Sequence, residues 1–521
     1  MKLPILALIT FAALPGAALG QELLTAPEKS NFEETTRYDG VVAIMAELAR
    51  TSPLMHMDTF GVTVEGRAMP LLVVGHGLRD ASPASVRATG KTRVYLQGNI
   101  HGGEVEGKEA LLMMLRDIAR GRHNAWLDSL VLIVVPIYNI DGNEKIDVRN
   151  RGRQHGPLKG MGVRANAQNL DLNRDHMKQD SPEARALVKL LADYDPHVGI
   201  DLHTTNGSLH AYHLTYAPPL HPGTNAGIVS MLRGTMLPEI RQRVKRENAL
   251  NFYYYGNVNS RAQPREWGTF DHRPRFNNNY VGLRNRIAIL SEAYSYDTFV
   301  NRIRSTRVFV DAILDHVTRN SSAIRRLTEQ ADAESIVGKQ LPARAQFHRG
   351  GQIEILMGDV AREMNPYSGD TIFRRLDVEK PEMMTDLSTF EGTDWTTVPR
   401  YYFLPPDVPQ RVKDNLANHG IRARRLARDT TIVAERFRID STSVAQRPFQ
   451  NHQERTIFGS YEPAATQTLP AGTLVVDVAQ PLGRLAFYLL EPRSDDGYTN
   501  WNFLDDVIDE SRYYPIIRAL R

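Results

Sequence analysis

His101 and Glu104, in the run Ile100-His101-Gly102-Gly103-Glu104, place an imidazole and a carboxylate at a spacing that lets both face one zinc ion. Zinc accepts His nitrogen and Glu oxygen, and a catalytic site takes three protein ligands and keeps the fourth position for water. That chemistry is hydrolytic and needs one more ligand. His203, in Gly199-Ile200-Asp201-Leu202-His203-Thr204, is the candidate, because it too follows an apolar run directly.

The elements that must position these groups are strands. The runs 93–100 and 197–202 each deliver a histidine at or just past their end, and a third apolar run, 287–290, delivers Ser291 and Glu292. Open α/β sheets bind ligands in the crevice beyond the carboxyl ends of their strands, so three polar groups placed in this way converge. Around them the pattern predicts a helix over 38–50, a strand pair over 59–64 and 69–74, and a helix that begins near Glu104 and holds that residue in its first turn. The valine- and isoleucine-rich run 130–137 reads as a central strand buried on both faces. Turn chemistry follows at Asn139-Ile140-Asp141-Gly142, then an arginine-rich loop over 149–162 and helices over 182–192 and 306–323. Such alternation predicts an α/β fold, a mainly parallel or mixed sheet flanked by helices.

At 521 residues the chain exceeds one ordinary domain of roughly 150 residues. Three parts are expected. Residues 1–20 carry Lys2, an apolar stretch from Leu3 to Leu14 and small residues up to Gly20, the composition of a secretory signal peptide and too short for a membrane span. Residues 21–335 hold the candidate ligands. Residues 345–521 have a different texture, with Gly350, Gly351 and Pro366 among short alternating segments, and read as a smaller β-rich accessory domain in which 473–478 and 485–490 are the best strands. No later segment is long enough to cross a bilayer, so integral membrane association is not expected and the address is periplasmic or extracellular. Cysteine is absent, which excludes disulfides, thiolate zinc sites and a cysteine nucleophile. Lys plus Arg number 63 against 60 Asp plus Glu, a balance that gives no field for nucleic acid.

A lone His-x-x-Glu is a weak signal, and its company strengthens it: Asn169-Leu170-Asp171-Leu172-Asn173-Arg174, then Asp201-Leu202-His203, then Leu290-Ser291-Glu292. In this order the chain resembles the zinc carboxypeptidases of the carboxypeptidase A type over roughly residues 30–335. The resemblance implies that His101, Glu104 and His203 bind a single zinc ion and that Glu292 is the general base. It implies that Asn173 and Arg174 bind the terminal carboxylate of a peptide substrate, a role for which a guanidinium fork is well shaped. Asp171 matches the position that accepts the other ring proton of the first histidine and so fixes its tautomer. Arg164, with Arg153 as the other candidate, would stabilise the oxyanion. Tyr280 is the expected substrate-capping tyrosine, with Tyr253, Tyr254 and Tyr255 further off. His155, His176, His210 and His213 are expected to pack or line the pocket and not to hold a second metal. The activity implied is an exported zinc metallocarboxypeptidase acting on peptides with a free C-terminus. Two alternatives use the same site: an amidohydrolase of cell-wall peptides or acyl amino acids, and a noncatalytic peptide-binding protein.

Overall fold

The computed structural model describes residues 23–205, 207–508 and 512–521, and the leader expected over 1–20 lies outside them. Among the described residues the central sheet has eight strands. In chain order they are β1 (Met55–Val62), β2 (Ala68–Val74), β3 (Thr92–Gly98), β4 (Leu130–Val135), β5 (Val198–Thr204), β6 (Leu214–Ala217), β7 (Phe252–Tyr254) and β8 (Ile287–Ala293). Their spatial order is β1-β2-β4-β3-β5-β8-β6-β7. The four central strands β4, β3, β5 and β8 run parallel, whereas β1 with β2, β2 with β4, and β8 with β6 are antiparallel, so the sheet is mixed. Every residue of β4 is buried, the pattern of a strand covered on both faces.

Five helices dress this sheet where it matters for the site: α1 (Tyr38–Thr51), α2 (Glu106–Ala119), α3 (Pro182–Tyr194), α4 (Asn277–Leu283) and α5 (Phe299–Arg319). Helix α2 buries Leu111, Met114, Leu115 and Ile118 and packs against α1 and α5, α3 packs on β1, and α4 lies against β5 and β8. Helix α2 begins at Glu106, two residues later than the sequence pattern predicts. Glu104 therefore sits in the preceding turn, closed by its N–H on the His101 carbonyl at 2.9 Å, and not in the first helical turn.

The region after residue 335 is β-rich, as in the antiparallel pair of Gln340–His348 with Thr389–Thr397. One expected strand is a helix. Gly483–Leu490 is α-helical and buried along its whole length. A short, uninterrupted apolar run carries no periodicity, so burial on all sides makes helix and strand indistinguishable in sequence. The C-terminal region also shares structure with what precedes it. Gln352–Met357, Lys380–Leu387, Glu266–Gly268 and Asn257–Asn259 form one four-stranded sheet. A continuous apolar core runs from β3, β4 and β5 through Ile336 and Val398 to Tyr402, Leu485, Tyr488 and Trp501. No helix among the described residues is long and apolar enough to cross a membrane.

Candidate metal centre and substrate cavity

The chain turns sharply after β3. Asn99 adopts a left-handed backbone (φ 65°), and its side-chain amide donates to the carbonyls of His101, Gly102 and Glu104 at 3.2–3.3 Å. The two glycines are required by close approach. A β-carbon on Gly102 would lie inside the backbone of Gly142 and Asn143, and one on Gly103 would stand 2.6 Å from the Gly162 carbonyl oxygen. The turn thus brings His101 and Glu104 over the carboxyl end of the sheet. Strand β5 continues to Thr204 and carries His203 beside them, and the parallel pairing of β8 sets Glu292 opposite His203.

Three donor atoms meet there. His101 Nδ1 is 3.0 Å from Glu104 Oε2, His203 Nδ1 is 3.0 Å from the same oxygen, and the two Nδ1 atoms are 3.3 Å apart. Among the described residues this is the one group of three His, Cys, Asp or Glu side chains disposed to hold a metal ion. Each ring is fixed by a carboxylate on its far nitrogen: Asp171 Oδ1 lies 3.1 Å from His101 Nε2, and Asp201 Oδ2 lies 2.8 Å from His203 Nε2. With the proton held at Nε2, each Nδ1 keeps its lone pair for a cation. The electrostatics agree. Burial works to lower His203, but Asp201 and Glu104 outweigh it and raise its pKa well above the ordinary imidazole value. A site that draws a proton so strongly also suits a divalent cation, and two imidazoles with one carboxylate are a zinc donor set.

Glu292 opens partly to the same cavity, and its buried Oε2 has no hydrogen-bond partner. Burial pushes its pKa up to about 8; Glu104 adds to the rise, while His203, Arg151 and Arg164 oppose it. Asp171 goes the other way, because His101, Arg164 and Arg174 overcome its burial and hold it far below the carboxylate range. Arg164 lies 2.9 Å from Asp171 Oδ2 through both Nε and a terminal nitrogen. Its other terminal nitrogen faces His101 Nδ1 at 3.4 Å and Glu104 Oε1 at 3.8 Å. Arg174 rests on the face of Phe276, 3.8 Å from the ring centre, and Asn173 accepts the Asn277 N–H at 2.8 Å. Together with Thr204, Thr205, Tyr255, Phe270 and Leu290 these groups line a cavity of about 380 Å³. A larger cavity of about 700 Å³ lies among Tyr401, Phe403 and Ile432, remote from these ligands.

Two sequence expectations fall elsewhere. Tyr280 is fully buried in α4, its hydroxyl 2.8 Å from His419 Nδ1 and 3.2 Å from Arg284, so it cannot reach the cavity. Tyr255 stands in the wall instead, its ring edge-on to Phe270 at 5.4 Å and its hydroxyl accepting from Asn257 at 2.9 Å. Arg153 is exposed and stacks over Phe373, away from the ligands. His155 pairs with Glu363, His176 with the Arg275 carbonyl and Asn277, and His210 packs on Tyr294, none of them at the cavity. His213 accepts the Asn251 N–H.

Arg151 was not singled out in the sequence. It donates to Glu104 Oε1 at 2.9 Å and to the carbonyls of Thr204 and Thr205 at 3.1 and 3.3 Å, tying one ligand to the strand end that carries another. Its membership of the arginine-rich loop was visible, but nothing in the spacing distinguished it from Arg149 or Arg153.

Comparison with known proteins agrees with the geometry. Residues 41–272 match the family model of zinc carboxypeptidases, Peptidase_M14. Carboxypeptidase 2 of Trichophyton tonsurans is 23% identical over 98% of this chain and 92% of its own length. Human carboxypeptidase D is 28% identical over 26% of this chain and 12% of its own length. The metallo-carboxypeptidase from Burkholderia cenocepacia aligns at 17% identity with a TM-score of 0.41, covering 55% of this chain and 70% of that one.

Proposed function

We propose that this chain, of which residues 41–272 match the family model of zinc carboxypeptidases, removes the C-terminal residue of peptides, with His101, Glu104 and His203 as zinc ligands and Glu292 as general base. The observation that carries this reading is the presence of Arg174 and Asn173 in the same cavity as the three ligands and Glu292. A fixed guanidinium there matches the free carboxylate of a peptide end. When bound, zinc supplies a Lewis acid that polarises the scissile carbonyl and lowers the pKa of water towards about 7.

The chain's own groups do the rest. Arg174, stacked on Phe276, and Asn173 hold the terminal carboxylate and so set which bond faces the ligands. Arg164 turns its remaining nitrogen towards the place where negative charge grows on the carbonyl oxygen, and stabilises it. Glu292 takes a proton from the attacking water as the C–O bond forms, and passes it to the amine nitrogen as the C–N bond breaks. Tyr255, not Tyr280, is the tyrosine available to close over the substrate. Phe270, Phe276 and Leu290 line the cavity beside Asn173, Thr204, Thr205 and the two carboxylates, Glu104 and Glu292. Residues 21–335 act as the catalytic part and 345–521 as its β-rich accessory, and the leader-like composition of 1–20 supports export.

Digestion of a mixed peptide library with free and amidated C-termini, read by mass spectrometry, tests the reading. Single residues should be released from free ends. Equal rates on free and amidated peptides would remove the clamp from the account.

A further inference from the structure

A hairpin tip from the C-terminal region reaches the catalytic site. Phe449 and His452 exchange backbone hydrogen bonds of 2.8 and 3.0 Å, and between them Gln450 and Asn451 are both left-handed, at φ 50° and 64°. This is the two-residue turn with positive φ at both central positions, which Asn and Gly fill most easily. Non-glycine residues persist in such a backbone where the surroundings over-determine it, and such strain gathers at functional sites.

The surroundings here are the two segments that flank the cavity. His452 Nε2 is 2.8 Å from Asp180 Oδ2, the oxygen that also takes Lys178 Nζ at 2.6 Å. On the other side the Arg275 guanidinium lies over Phe449 at 5.2 Å and over Trp501 at 4.4 Å, and is bonded to Asp496 at 2.8 Å and Glu454 at 2.7 Å. Arg275 immediately precedes Phe276, the ring beneath Arg174. At the tip itself, Gln450 Oε1 accepts the backbone N–H of Asp171 at 2.8 Å. Since an N–H can only donate, the side-chain oxygen must face it.

Asp171 is the hub of the turn that presents the clamp. Its carboxylate takes His101 Nε2, Arg164 and the Asn173 N–H, and its carbonyl takes the Arg174 N–H at 2.9 Å. The remaining backbone group, the N–H, is the one Gln450 holds. We propose that Gln450 is a positioning residue for the carboxylate clamp: by fixing Asp171 it sets where Asn173 and Arg174 meet the substrate's end, which makes the C-terminal region part of the catalytic unit. This inference rests on the peptidase reading above.

Two variants separate the role from plain stability. Gln450→Met keeps the length and removes the acceptor, while Gln450→Glu keeps an acceptor oxygen. Gln450→Met should raise KM for free-ended peptides about 3- to 10-fold, the worth of one ordinary hydrogen bond, with kcat nearly unchanged. Gln450→Glu should restore KM. An unchanged KM, or a fall in kcat alone such as a loss of folded enzyme would give, overturns the proposal. Calorimetric binding of N-acetyl-phenylalanine against its amide reads the clamp without turnover. Reduced discrimination in Gln450→Met supports the inference, and undiminished discrimination refutes it. A wild-type protein that discriminates in this way but hydrolyses no peptide would sink the peptidase reading and leave the Gln450 role standing.

Discussion

At the scale of single residues, Glu292 decides whether the site is catalytic or only a metal cradle. It must be unprotonated to accept a proton from water, and burial favours its neutral form up to about pH 8. A divalent cation beside it acts in the opposite direction, so in the zinc-loaded enzyme the acidic limb of the kcat/KM profile should fall below that value. Glu292→Gln should keep zinc at the wild-type level and lose about 10²- to 10⁴-fold in kcat, the usual worth of a general base. Metal analysis and steady-state kinetics on one preparation check this, and undiminished turnover would reject the role. The grouping of His101, Glu104 and His203 was legible in the sequence because few side-chain types can ligate zinc, which limits the choice to a handful of positions. Tyr255, Arg151 and Gln450 were not. Three consecutive tyrosines at 253–255 look alike in sequence, and only the direction of the chain after β7 turns Tyr255 to the cavity. Arg151 and Gln450 act through contacts made across 47 and 279 residues of chain, which no local pattern encodes.

At the scale of elements, the turn between β3 and α2 carries the site. Its geometry depends on backbone passing backbone, with Gly102 against Gly142 and Asn143 and Gly103 against Gly162. Gly102→Ala has no flexible side chain to push aside, so the turn itself must shift, and His101 and Glu104 flank the substituted residue on either side. Zinc affinity should fall at least as far as when a ligand's supporting hydrogen bond is lost, about 10- to 100-fold. Competition with a chelator of known affinity would measure it, and wild-type retention would show that the turn can relax. The strands were legible because β4 is an uninterrupted apolar run and β8 an apolar run that leads into Ser291 and Glu292. The start of α2 was misplaced by two residues, since Glu104 at a helix terminus and Glu104 in a glycine turn fit the same sequence. Gly483–Leu490 was mistaken for a strand because complete burial erases the helical period.

At the scale of the whole molecule, charge links the segment around His272 and Arg273 to the C-terminal region. Asp495 is half-buried, and His272 at 3.2 Å, Arg273 at 3.5 Å and the Tyr488 hydroxyl hold its pKa well below the usual carboxylate value. A carboxyl group depressed in the folded state adds stability above its unfolded pKa of about 3.9 and loses that contribution as the pH falls towards the folded value. Asp495→Asn should therefore lower stability at pH 7 and flatten its decline below about pH 4, as measured by urea unfolding at both pH values. A parallel decline in variant and wild type would remove Asp495 from the acid response.

The four-stranded sheet built from Asn257–Asn259, Glu266–Gly268, Gln352–Met357 and Lys380–Leu387 has a further consequence, for descent. Its strands are drawn from both sides of the chain's apparent seam, so the two halves cannot be traded between lineages like beads on a string. A crossover near residue 340 would have to inherit matching edges, matching apolar partners and the Gln450 turn all at once, which binds the two stretches to a shared history.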